Sequence, residues 1–99
     1  MEGHAVISHE VLASYAADAA REVDGVHELV DGARRPQGVR VAEEDGSVSV
    51  ELHVAIAWGA CAPDVAVVVQ QRVAEYLART ARLPSVAVDV VVAGVASGD

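Results

Sequence analysis

The stretch SVSVELHVAIAW, residues 47–58, carries the strongest pattern in the chain. Val48, Val50, Leu52, Val54, Ile56 and Trp58 fill its even positions, and Ser47, Ser49, Glu51, His53, Ala55 and Ala57 fill the odd ones. Successive side chains of a strand point to opposite faces, so this alternation predicts one long strand with a single apolar face on a core. Trp58 continues that inward face and is expected to cap the core. Just upstream, Val39 and Val41 alternate with Arg40 and Ala42, and Asp45-Gly46 lies between the two runs. Both turn residues tolerate positive φ, as a tight hairpin requires. The pair reads as an antiparallel hairpin.

Helical periods flank it. Before it, Val11, Tyr15 and Ala19 recur at helical spacing, as do Leu12, Ala16, Ala20 and Val23. Ser8 suits an N-cap, Glu10 favours the first turn, and Asp24-Gly25 is a stop signal. The spacing predicts an amphipathic helix over 9–23. Residues 5–7 read as a short strand, 26–30 as a strand or its beginning, and 31–38 (DGARRPQG) as a loop. After the hairpin, Pro63 opens a second helix over 63–80, with Asp64 in its first turn. Val65, Val68, Val69, Val73, Tyr76, Leu77 and Thr80 make its apolar stripe. Leu83-Pro84-Ser85 ends it, and Val86, Val88, Val90 and Val92 then alternate with Ala87, Asp89, Val91 and Ala93. The other face of this last strand is also fairly apolar. The order is (β)-α-β-β-α-β, or the same with a third strand between the helices. Either is an α+β two-layer sandwich, two helices packed on one face of a mainly antiparallel three- or four-stranded sheet. Residues 1–99 read as a single domain, with 96–99 a frayed tail.

Composition narrows the function. Twenty-one valines and 19 alanines fill 40 of 99 positions, with one tryptophan and no phenylalanine. Apolar residues at 53% argue against disorder, and one cysteine, Cys61, excludes a disulfide scaffold. No window of about 18 residues lacks charge, so no membrane-spanning helix and no direct membrane insertion are expected. Met1 to Ser8 carries Glu2 and no basic segment, so no secretory signal is expected either. Seven arginines against 15 acids give a net charge of −8. Such a chain is repelled by polyphosphate backbones and anionic headgroups, which argues against nucleic-acid partners.

The ordered set of motifs resembles the bacterial alkaline shock protein family, also called the envelope stress response family. The similarity runs through Ile7-Ser8-His9-Glu10-Val11-Leu12, Ala19-Ala20-Arg21-Glu22-Val23-Asp24-Gly25-Val26, Gly38-Val39-Arg40-Val41 and Val48-Ser49-Val50-Glu51-Leu52-His53-Val54. It continues through Trp58-Gly59, Pro63-Asp64-Val65-Ala66, Val69-Gln70-Gln71-Arg72-Val73, Leu83 and Val86-Ala87-Val88-Asp89-Val90. It covers about residues 5–95. The resemblance implies a non-enzymatic, self-associating cytoplasmic protein tied to cell-envelope homeostasis and stress, with no cofactor. Its implied partners are copies of itself and a membrane-anchored protein that brings it near the membrane. Two positions depart from the family pattern. Thr80 is followed by Ala81-Arg82 where the family has glycine, and the residue before Pro63 is the small Ala62.

Polar clusters offer little chemistry. His4, His9, His27, His53 and Cys61 show no CxxC, HExxH or His-x-His spacing, so no metal site is expected. Cys61 precedes a helix start, which favours a thiolate, but nothing places a base beside it. Glu43-Glu44-Asp45 sits at a turn, which is wet, whereas acid–base work needs a dry carboxylate. No glycine pattern for nucleotides exists.

The candidate surface for self-association or a partner is Trp58, Ala87, Val91, Ala93, Arg34 and Arg35. Trp58 stands at a strand end, where it is an anchor for a partner if it does not cap the core. Val91, Ala87 and Ala93 lie on the second face of the last strand, with Ala55 and Ala57 expected on the same open face. An edge position would let this strand pair with another chain. Arg34-Arg35 would meet an acidic or phosphate group. Two other readings are a K-homology-like nucleic-acid module and a small ligand-binding or enzymatic domain. The first needs a GxxG loop and a basic groove, which the sequence lacks. The second needs a pocket with convergent polar groups.

Overall fold

The computed structural model describes residues 8–32, 38–44, 47–83 and 86–96. The elements run α1 (His9–Arg21), β1 (Val26–Leu29), β2 (Val39–Glu44), β3 (Ser47–Ile56), α2 (Ala62–Thr80) and β4 (Val86–Val95). Three strands therefore lie between the helices. The strand expected at 5–7, the turn Asp45-Gly46, Arg34, Arg35 and the tail at 97–99 lie outside the described residues.

The first helix forms where the sequence signals it. Ser8 is its N-cap, and the Ser8 hydroxyl accepts from the Val11 N–H at 3.1 Å. Leu12, Ala16, Ala17, Ala19 and Ala20 form the buried stripe of α1. The helix stops at Arg21, two residues short of the expected end, although Val23 is still buried in the turn that follows. That turn is fixed by Gly25 at φ +98°. Its carbonyl accepts from the Ala57 N–H at 2.7 Å. A Cβ at Gly25 would sit 2.6 Å from Val65 Cγ2, so the α1–β1 turn packs directly on the start of α2.

β3 is the centre of the sheet. Its even residues Val48, Val50, Leu52, Val54 and Ile56 are all buried, as the alternation demands. β2 pairs with it antiparallel from Val39↔Leu52 to Glu44↔Ser47, and β1 pairs antiparallel at its other end, Leu29↔Val54 to Val26↔Ile56. β4 pairs with β3 in parallel, from Val48↔Val86 to Ile56↔Val95. Because β4 faces both stretches, β1 and β2 share one side of β3 end to end and β4 takes the other. Two of the three pairings are antiparallel. The parallel one needs a long crossover, and α2 supplies it.

The helices cover the even face. α2 buries Val65, Val69, Val73 and Leu77, a strict i, i+4 row. It joins α1 through an edge-on contact of Tyr15 and Tyr76, ring centroids 6.0 Å apart. Small residues on α1 let it lie close to the sheet, and one core links both layers. Cys61 is the N-cap of α2, its side chain makes no cap hydrogen bond, and Pro63 falls in the first turn. At the far end Arg82 takes φ +56°, a left-handed conformation that glycine adopts at the least cost.

Two expectations are corrected here. Trp58 does not cap the core: it is 71% exposed, because the chain leaves the sheet at Ile56 and turns through Gly59 at φ +87°. The period of two cannot announce the residue at which a strand ends. Ala55 is buried rather than exposed on the open face, since it is flanked by Glu28 on one side and Gly94 on the other.

Candidate functional site

Among the described residues, the helices leave one face of the sheet uncovered, and no strand pairs with the outer side of β4. On the open face, the register sets Arg40, Glu51 and Asp89 in one cross-strand row, and Ala42, Ser49 and Ala87 in the next. His53 follows two residues after Glu51, and its Nε2 lies 2.5 Å from Glu51 Oε2. The His53 side chain is only 14% exposed, so it is a half-buried member of a polar row rather than a solvated histidine. Beside this row the face turns apolar. Val91 lies opposite His53, and Ala87 and Ala93 are exposed on the same strand.

β4 is thus an edge strand among the described residues. Two hydrogen bonds define which of its groups face outward. The Ala96 N–H donates to the Ile56 carbonyl across β3–β4, and the Val30 N–H donates to the His53 carbonyl on the other side of β3. Backbone groups alternate sides along a strand. Even residues of β3 therefore bond to β4, and odd ones bond to β1 and β2. In a parallel ladder each bonding residue is bracketed by two on its partner. Hence Ala87, Asp89 and Val91 bond inward to β3, and Val86, Val88, Val90 and Val92 turn their N–H and C=O groups to the edge. A register shift between Val54 and Ala55 places an extra residue, Ala93, in β4 and ends the regular edge there.

Among the described residues, one outward-facing edge group has a side-chain partner. The side-chain amide of Gln70, on α2, donates to the Val88 carbonyl at 2.8 Å. Exposed apolar side chains flank the edge on both layers. Val91 is 40% exposed and Val95 56% on the sheet, and Val67 is 50% exposed one turn before Gln70 on α2. Edges in monomeric proteins are blunted by lysine, proline or inward charges. β4 carries one charge, Asp89, and no lysine. Periodicity singled out Val91, Ala87 and Ala93 as candidates and did not single out Gln70, Val67 or Val95, which lie along the same edge. Gln70 carries no signal in a single sequence, since its contact spans 18 positions.

The other candidates fall elsewhere. Trp58 stands in the turn after β3, beyond the row that pairs with β4. His9 lies 3.8 Å from Glu43, an exposed contact between α1 and β2. Among the described residues no group of three His, Cys, Asp or Glu converges as metal ligands, and none of the buried residues is polar or charged. Grooves among the described residues are shallow. One of about 440 Å³ runs along β1, past Arg21, His27, Glu28 and Asp31, one of about 120 Å³ lies between the helices, past Asp18, Glu22, Arg72 and Glu75, and one of about 170 Å³ lies on the open face, past Arg40, Ser49, Glu51 and Asp89. Most of these polar groups are exposed. Among the described residues no helix is long and apolar enough to cross a membrane.

Known proteins give the fold company. Two zinc forms of the MamM CTD superpose with TM-scores of 0.59 and 0.61, at 18% and 17% identity. Each match covers 91% of this chain, and 88% and 89% of theirs. At that identity the likeness is one of fold. The uncharacterized protein Spy1535 of Streptococcus pyogenes is 32% identical over 102 residues, which covers 94% of this chain and 79% of the relative. Residues 1–97 match the model of the alkaline shock protein 23 family, described by a cell envelope-related function. The sequence resemblance and the α+β layers thus agree, and the chain belongs to the alkaline shock protein 23 family.

Proposed function

We propose that this chain is a non-enzymatic assembly protein that serves the cell envelope from the cytoplasm, by binding copies of itself and a membrane-anchored protein. One observation carries the reading: a ten-residue strand with a free edge, flanked by exposed Val67, Val91 and Val95 and lacking the usual cationic guard. Val91, Ala87 and Ala93 offer the contact surface, with Trp58 a separate anchor on the neighbouring turn. Arg34 and Arg35 are proposed as a contact for an acidic group on the partner. The family's cell envelope-related description supports the setting. Catalysis finds less support, since most polar groups in the grooves are exposed, and wet carboxylates make poor general acids.

The test is light scattering coupled to size exclusion over a wide concentration range, with and without EDTA. A mass that rises with concentration and ignores EDTA is expected. A constant monomer mass would overturn self-association. Assembly that dissolves in EDTA would assign the contact to metal instead.

A further inference from the structure

We propose that the free edge of β4 pairs antiparallel with the same edge of a second copy, about a two-fold axis at Val91, and that Gln70 sets this register. The inference rests on the self-association reading above and gives it a specific geometry.

Three features of the strand select the occupant and the register. First, the edge is complementary to itself. Val86, Val88, Val90 and Val92 all turn donors and acceptors outward, and an antiparallel pair about Val91 joins Val90 and Val92 of each copy reciprocally in a closed dimer. Second, the one charge of β4 excludes an axis at Asp89, which would set two carboxylates directly opposite each other. Third, Gln70 already occupies the Val88 carbonyl. An axis at Val90 would need that carbonyl for the partner's Val92 N–H. An axis at Val91 needs only Val90 and Val92, whose outward groups are free for each other. It sets Val91 against the partner's Val91 on the open face and Asp89 against the partner's Ala93.

Size agrees with a reversible dimer. About the Val91 axis residues 87–95 of the two copies lie opposite each other over about 30 Å at strand rise, with regular hydrogen bonds at Val90 and Val92, since the register shift at Ala93 ends the regular edge. Across a molecule 19 Å thick, this covers on the order of 600 Å² per protomer, somewhat below the ~800 Å² of a standard stable interface. A heterologous strand would fit the hydrogen bonds too, but nothing in its favour matches the self-complementary edge and the placement of Asp89.

The experiment uses the full chain with Cys61→Ala, so that one introduced thiol reports the register. Residues opposite each other at a two-fold axis are close enough for a disulfide, and residues offset by four along the strands are not. Under oxidised glutathione, Val91→Cys is expected to cross-link at least ~10-fold faster than Ala93→Cys. Adding Gln70→Ala frees Val88 and lets the axis move to Val90, which pairs more of the strand. Cross-linking through Val91→Cys then falls several-fold while association tightens. Equal rates at the two positions, or no cross-linking in a sample that scattering shows to be dimeric, would overturn the geometry and leave self-association standing. An unchanged response to Gln70→Ala would remove Gln70 from the proposal. A monomer at every concentration would overturn this inference together with the reading it rests on.

Discussion

At the scale of single residues, the backbone holds two positions whose chemistry is out of the ordinary. Arg82 adopts φ +56° after α2, a conformation that costs an L side chain about 1–2 kcal/mol relative to the right-handed one. Arg82→Gly is expected to stabilise the fold by roughly 0.5–1 kcal/mol, reduced from the full strain by the extra freedom of unfolded glycine. Thermal unfolding checks this, since such a gain raises the midpoint by a few degrees in a domain this small. Gly25 is the opposite case. At φ +98°, with Val65 Cγ2 2.6 Å from any added Cβ, Gly25→Ala meets strain and a clash together. A loss of more than about 2 kcal/mol is expected. Denaturant unfolding with an unchanged midpoint would show that the turn does not bear on α2 as described. The contrast shows what single residues reveal in sequence. Gly25 was legible as a stop signal because glycine is the usual left-handed residue. Arg82 was not, because a residue with a side chain carries no mark of a left-handed backbone. Trp58 misled for a related reason: it obeys the strand's period, but the chain has already turned.

At the scale of elements, legibility followed sequence distance. β2 and β3 were readable because both strands and their turn lie within 18 residues and share one alternation. α1 and α2 were readable because their buried rows repeat at three and four. The parallel union of β3 and β4 was not, since the pairing spans α2 and leaves no local mark. That union is what makes β4 an edge and places Val91 beside it. Val91→Lys places a charge where the side chain is already 40% exposed, so it should cost the fold less than about 0.5 kcal/mol. The same charge on the free edge should abolish self-association, as lysine does on edges of natural sheets. Scattering and thermal unfolding on one sample separate the two effects. An oligomer that survives Val91→Lys would take this strand out of the candidate site. Ser8→Ala provides the control at a remote element. It removes the acceptor of the Val11 N–H and is expected to cost about 1 kcal/mol of stability with association unchanged.

At the scale of the whole molecule, charge decides between the two broad classes of partner. Each copy carries −8, so association of two copies works against long-range repulsion. The seam itself is mostly backbone hydrogen bonds and valine, which salt hardly weakens. Repulsion between the bodies is screened once the Debye length falls to about 8 Å near 0.15 M, well under the size of the molecule. Association is therefore expected to tighten several-fold as sodium chloride rises from about 20 to about 300 mM. A phosphate-binding module behaves in the opposite sense, because each neutralised phosphate releases a counterion and affinity falls steeply with salt. One titration thus tests both readings by sign alone. Scattering at fixed protein concentration should show the mean mass climbing with salt, while a labelled single strand of RNA should show no binding at the lowest salt used. A mass that falls with salt would mean that opposite charges on the two copies hold the contact. The arginines, led by Arg40 in the open-face row, would then replace β4 as the place to mutate first.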